Sequence, residues 1–244
     1  LDFWSINDHA FSVTPQHWRE TVESVKQCNA VAGDPADPDT VAYLGWEWTQ
    51  VGTTPADHYG HKNVVLRDLE GAAVPTRPIA AMRDGFRGPG GGARAMMSAF
   101  GDARLRAFAR YLAEVEATPY CADDGPSPSL PTDCIEQAPT PADLYRKPGE
   151  WDAEAVVIPH GTTWGFYTPP GSTWDKQLEG PMHSERYQTL LEVYSGHGTS
   201  DVYRDWRAVD LDANGQPGCP APRPDYEPTC WRAGEIIRAR GLEE

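Results

Sequence analysis

Apolar residues along this chain gather in short clusters, and the spacing within each cluster predicts an alternation of strands and helices. Leu1 to Asp8 groups Phe3, Trp4 and Ile6 and then runs into Asn7, Asp8 and His9, as a buried strand leading into a loop does. A helix is predicted next: Thr14 is an N-cap, Pro15 suits the first helical position, and Trp18, Val22 and Val25 recur at spacings of four and three. Thr40 to Trp48, His61 to Arg67 and Ala155 to Pro159 read as further strands, each short, apolar and finished by a residue able to coordinate. Helical spacing returns at Leu105, Phe108, Leu112 and Val115, a short helix is predicted from Thr140 and Pro141, and Thr189 to Tyr194 reads as one more strand. Such alternation predicts parallel βα units and an α/β fold. Two irregular insertions, about 85–92 and 119–139, and a Pro-rich tail from Gln216 to Pro228 interrupt it.

With 244 residues the chain is expected to form a single domain. A formal net charge of -15 argues against nucleic acid, whose affinity comes from clustered Lys and Arg. No apolar run is long enough to span a bilayer. The chain opens at Leu1 inside an apolar stretch and without Met, as an excised piece would. Cys121 and Cys134 bracket a Pro- and Ser-rich loop, and Cys219 and Cys230 bracket another. Two local disulfides are expected there, and with them a secreted or periplasmic location; unpaired thiols in surface loops are the alternative. Cys28, at helical spacing from Val22 and Val25, is expected to be a small buried hydrophobe.

The chemistry concentrates at strand ends, where loops of an α/β fold converge on one point. Four ends carry His9, Glu47, His61 and His160, the residue types that suit zinc, manganese or iron. A single strand-end His is more often a loop hydrogen-bonder; four coincidences, each with Gly, Asn or Asp beside it, point to a metal centre. Glu47 lies between Trp46 and Trp48, and a carboxylate in apolar surroundings is costly unless it is paired or metal-bound.

Five stretches occur in one order: Leu1–Phe3 with Asn7–Asp8–His9–Ala10, Gly45–Trp46–Glu47–Trp48–Thr49, His61–Lys62–Asn63–Val64, Ile158–Pro159–His160–Gly161 and Leu191–Glu192–Val193–Tyr194. Together they resemble the family called domain of unknown function 3604, which is similar to the PHP (polymerase and histidinol phosphatase) superfamily of metal-dependent phosphoesterases. The resemblance implies a distorted (β/α)7 barrel with long loop insertions, two or three divalent ions and hydrolysis by an activated water. It makes His9, Glu47, His61 and His160 metal ligands, with Glu47 and His160 serving catalysis and Asp8 orienting a ligand. The family's opening His-x-His and closing Asp-x-His motifs are absent, and His197 in Gly196–His197–Gly198 does not supply the latter. The expectation is therefore a partial barrel, incomplete at both ends.

Around these residues, His58 is expected to reach substrate or metal, Thr162, Thr163 and Trp164 to line the pocket, and Lys62 to hold an anionic leaving group or to be solvated. Arg67 is another nearby cation, His17 is expected to be structural and His183 carries no assignment. Asp210, Asp212, Asn214 and Gly215 repeat half of a calcium loop, but Ala221 stands where its bidentate carboxylate belongs, and an Asn-Gly turn is the better reading. The expected function is hydrolysis of a small anionic ester, phosphoesters first. The alternative is a non-catalytic barrel piece that binds a small molecule or carbohydrate through Trp46, Trp48, Trp164 and Trp174.

Overall fold

The computed structural model describes residues 2–81, 91–122, 125–162, 168–169, 172, 177–178, 180–192, 194–195, 198–199 and 210–218. In chain order its strands are β1 (Phe3–Ile6), β2 (Gly33–Asp34), β3 (Asp37–Pro38), β4 (Val41–Trp48), β5 (His61–Leu66), β6 (Ile79–Ala80), β7 (Glu136–Gln137), β8 (Ala155–His160), β9 (Tyr194–Ser195), β10 (Gly198–Thr199), β11 (Asp210–Leu211) and β12 (Pro217–Gly218). Its α-helices are α1 (Pro15–Ala30), α2 (Gly91–Phe100), α3 (Ala103–Ala117) and α4 (Pro141–Glu150). The fold is mixed α/β: a four-stranded sheet in the order β1-β4-β5-β8 with small two-stranded pairings besides, and no closed barrel among the described residues.

The sheet is mixed rather than wholly parallel, which corrects the expectation of successive parallel βα units. β1 and β4 are parallel, with Phe3 opposite Val41 and Ile6 opposite Leu44. β5 runs against β8: the Arg67 N–H donates to the Glu154 carbonyl at 2.9 Å where β5 ends and β8 begins, while Gly60, just before β5, lies against His160 at the end of β8. The reason lies in the connection. A parallel return requires a crossover, commonly a helix, and Thr49 to Gly60 contains none.

The chain divides into two compact units. The first comprises Leu1–Trp48, Val64–Pro139 and Asp143–Ala155. Its core follows the period of two along β4: Ala42, Leu44, Trp46 and Trp48 are buried on one face, while Tyr43, Gly45 and Glu47 belong to the other. α1 packs against β4 through Trp18, whose ring meets Trp46 edge-on at 5.7 Å and whose indole N–H donates to the Pro75 carbonyl at 2.7 Å. Thr14 caps α1 as expected, accepting from the His17 N–H at 3.2 Å. Asn29, near the other end of α1, pairs its side-chain amide with both backbone groups of Ala42, at 2.8 and 2.9 Å. Asp102 caps α3, which buries Ala109, Leu112 and Val115 but leaves Leu105 and Phe108 exposed. The structural reading of His17 agrees with its place beside Glu114 of α3, with Nδ1 3.3 Å from the carboxylate.

The insertion 119–139 belongs to this unit and is closed by the Cys121–Cys134 disulfide, as expected. It supplies partners to Arg77, which is fully buried. Arg77 donates to the Glu136 carboxylate at 3.0 Å and to the carbonyls of Ser127 and Pro131 at 2.8 and 2.6 Å. Lys147 Nζ lies 2.7 Å from the other Glu136 oxygen, and Ser127 bonds both Glu136 and Glu150.

The second unit comprises Thr49–Asn63, Thr140–Ala142 and Val156–Glu244. Of the strand expected over Thr189 to Tyr194, the described residues Thr189 to Glu192 are not strand, Tyr194 belongs to β9, and Leu190 and Leu191 are exposed. The neighbouring backbone nevertheless pairs with β8, since Val157 donates to Tyr187 and Glu192 donates to Pro159, at 2.8 and 3.0 Å. β11 and β12 form a hairpin. In its turn Asp212 Oδ1 accepts the N–H groups of Asn214 and Gln216 at 2.8 and 2.9 Å, and Gly215 takes a φ of 77°, so this is the Asn-Gly turn and not a calcium loop.

Three further expectations meet the structure here. Cys28 is exposed rather than buried, because α1 turns its Trp18 and Val25 face inward and Cys28 falls outside that stripe. Of the expected insertion 85–92, Gly91 and Gly92 instead open α2, and the remainder lies outside the described residues. Cys219, Cys230, Thr163, Trp164, Trp174 and His197 also lie outside them.

Candidate metal centre

β1 and β4 deliver the first two residues. Their parallel pairing continues past β1 as a bridge between His9 and Glu47, with the Glu47 N–H donating to the Asp8 carbonyl at 2.9 Å. This register sets His9 Nδ1 3.1 Å from Glu47 Oε1. The imidazole is half-exposed and the carboxylate is buried. The hydrogen bond with Glu47 raises the His9 pKa above its ordinary value; partial burial opposes this, and the charges of Glu47 and Asp8 add to it. Asp8 itself is exposed. Because residues alternate along a strand, the indoles of Trp46 and Trp48 point away from the Glu47 side. Both fill the core, at 1% and 0% exposure.

β5 and β8 deliver the other two. His61 opens β5, as the predicted span from His61 to Arg67 has it, and His160 closes β8, so the two come from opposite ends of their strands. Both are buried, with ring centroids 5.5 Å apart and planes at 83°. Gly60 permits this approach. It adopts a φ of 69°, and a Cβ there would lie 2.8 Å from Thr162 Oγ1, 2.9 Å from Thr162 Cα and 3.0 Å from the His160 carbonyl oxygen.

The surrounding side chains are more tightly committed than expected. His58 is fully buried: its Nδ1 accepts from the Gly52 N–H and its Nε2 donates to the Gly161 carbonyl, both at 3.2 Å. An Nδ1 that accepts a peptide N–H places a proton on Nε2, so His58 ties two loops together. Lys62 is not solvated. It is fully buried and donates to the Tyr59 carbonyl at 3.0 Å and to Gln177 Oε1. Thr162 is buried and accepts from Gln177 Nε2 at 2.8 Å. The loop before His58 is fixed by Asp57, which accepts from the N–H and hydroxyl groups of Thr53 and Thr54. Burial pushes the Asp57 carboxyl up, but these hydrogen bonds outweigh it and hold the pKa below the ordinary carboxylate value. Arg67, at the far end of β5, pairs with Asp68 in solvent.

Glu47, His61 and His160 form a buried group that could hold a metal ion: one ligand atom from each lies within 4.8 Å of the others. Two imidazoles and a carboxylate are a donor set used for catalytic zinc, whose tetrahedral donors stand about 3.4 Å apart, so the three side chains would draw in around a bound ion. His9 joins the three through its hydrogen bond to Glu47. Gln177, Gly60 and Gln50, whose amide accepts from the Tyr59 N–H and donates to the Asp57 carbonyl, were not singled out from the sequence. Only the Gly in His58–Tyr59–Gly60–His61 gave a local signal. No protein-family model, curated protein or solved structure matches the chain.

Proposed function

We propose that the protein is a metal-dependent hydrolase acting on small anionic esters, phosphoesters first. The buried Glu47, His61 and His160 group carries this reading. These residues would hold zinc, manganese or iron, and the bound ion would supply Lewis acidity and a water acidic enough to act as a nucleophile near neutral pH. His61 and His160 would present imidazole nitrogens as ligands, and the Glu47 carboxylate would complement a cation. His9 Nδ1 holds a proton on Glu47 Oε1 and so orients that carboxylate, while its half-exposed ring can exchange protons with solvent. The ties through His58 and Asp57 keep the loop before His61 in place. The resemblance of the ordered motifs to the 3604 family supports phosphoester chemistry and a site of two or three ions. The Cys121–Cys134 disulfide supports a secreted or periplasmic location.

Metal content measured by plasma mass spectrometry tests the reading. Near-stoichiometric zinc, manganese or iron is expected in the purified chain and its loss in a Glu47→Ala, His160→Ala double variant. A chain that takes up no metal after loading overturns it.

A further inference from the structure

We infer that Gln177 is a positioning residue of this site, a buried amide that ties Lys62, beside His61, to Thr162, two residues beyond His160, and so fixes the two imidazoles for a shared ion. The inference rests on the metal reading above and deepens it.

Gln177 is fully buried, and both ends of its side chain are used. Oε1 accepts from Lys62 Nζ and Nε2 donates to Thr162 Oγ1 at 2.8 Å. The reverse orientation would set an NH2 group against an ammonium, two donors face to face, so the network fixes the amide one way round. Its own backbone is held by Gln188, whose side-chain amide donates to the Gln177 carbonyl at 3.1 Å. The Thr162 hydroxyl is also the atom closest to the missing Cβ of Gly60, so the bridge closes beside the contact that this glycine permits. A neighbour that merely fills space would need neither a donor nor an acceptor here. An amide supplies one of each, matching an ammonium on one side and a hydroxyl oxygen on the other. Groups that orient metal-binding histidines from outside commonly govern affinity by 10–100-fold.

The test uses the full chain with zinc and cobalt(II) as probes, reading affinity by chelator competition, site geometry by the visible spectrum of the cobalt form, and folding by circular dichroism without metal. Gln177→Leu keeps the approximate volume but removes both hydrogen-bonding ends, and is expected to weaken zinc binding by about 10-fold or more and to alter the cobalt bands. Gln177→Glu can accept from both Lys62 and the Thr162 hydroxyl, and is expected to restore affinity and spectrum to near those of the unaltered chain. Thr162→Val removes only the far end of the bridge; it is expected to shift the same bands by less, and it serves if Gln177→Leu does not fold. Unchanged affinity and spectrum in Gln177→Leu, or in Thr162→Val where that variant stands in, overturn the role of Gln177 and leave the metal site intact. An unaltered chain that binds neither ion overturns the site and this inference with it.

Discussion

Two clusters of buried polar side chains in this protein are built on opposite principles. Around Arg77, charges are matched inside the protein: Glu136 stands between the guanidinium and the Lys147 ammonium, and backbone carbonyls from the disulfide-closed loop complete the shell. Nothing there invites a ligand, and the network satisfies itself. In the other, Glu47, His61 and His160 gather three ligand-type groups, while His58, Gln177 and Thr162 hold the loops around His61 and His160. A closed ionic network serves the fold; a cluster of ligand-type groups such as this one could hold an ion. The difference separates buried polarity that stabilises from buried polarity that is poised to act.

Removing one carboxylate from each cluster gives the largest test. Glu136→Ala strands two buried cations and is expected to cost about 3–5 kcal/mol in chemical denaturation without metal. Glu47→Ala leaves a half-exposed His9 that water can hydrogen-bond, so its cost without metal is expected to be far smaller while metal binding is lost. Equal destabilisation by the two would erase the distinction.

Gly60→Ala comes next. A left-handed φ and a Cβ within 3.0 Å of the Thr162 and His160 backbone predict strain of about 1–3 kcal/mol and a matching fall in zinc affinity, read by calorimetry on the same samples. A tolerated alanine would mean that the approach of His61 to His160 does not depend on this glycine.

The smallest effect concerns acid. Asp57 titrates below its ordinary value of 3.8, so the stability it lends its loop is fully present above that value and is lost as pH falls through the lower folded value. Amide exchange at Thr53 and Thr54 is expected to quicken selectively in that window, beyond the intrinsic pH dependence of exchange. Exchange that follows the intrinsic dependence alone would remove Asp57 as the brace.

The strands and helices near the site were largely legible in the sequence because each carries its own period. Trp18, Val22 and Val25 announce α1, and alternation along Thr40 to Trp48 announces β4. Glu47, His61 and His160 were legible because ligand-type residues stood at the ends of such segments. The direction of β5 was not, since alternation reads the same in both directions and only the helix-free connection before it carries a hint. Lys62 and Gln177 were illegible for another reason: each is buried by the other across a long stretch of chain, and neither sits on an apolar period. The exposure of Cys28 is not legible because its spacing from Val22 and Val25 fits a helical face, while the face that α1 buries runs through Trp18 and Val25 and leaves Cys28 outside it.

The pairing of Asn29 with Ala42 has a consequence for how the first unit comes apart. A side chain on α1 here plays the part of a neighbouring strand, offering one peptide-like group to the N–H and the carbonyl of the same β4 residue. The Ala42 amide therefore owes its shelter from solvent to a helix. Undocking of α1 would expose that amide even while the rest of β4 stayed paired, so one strand position reports the coming and going of a helix.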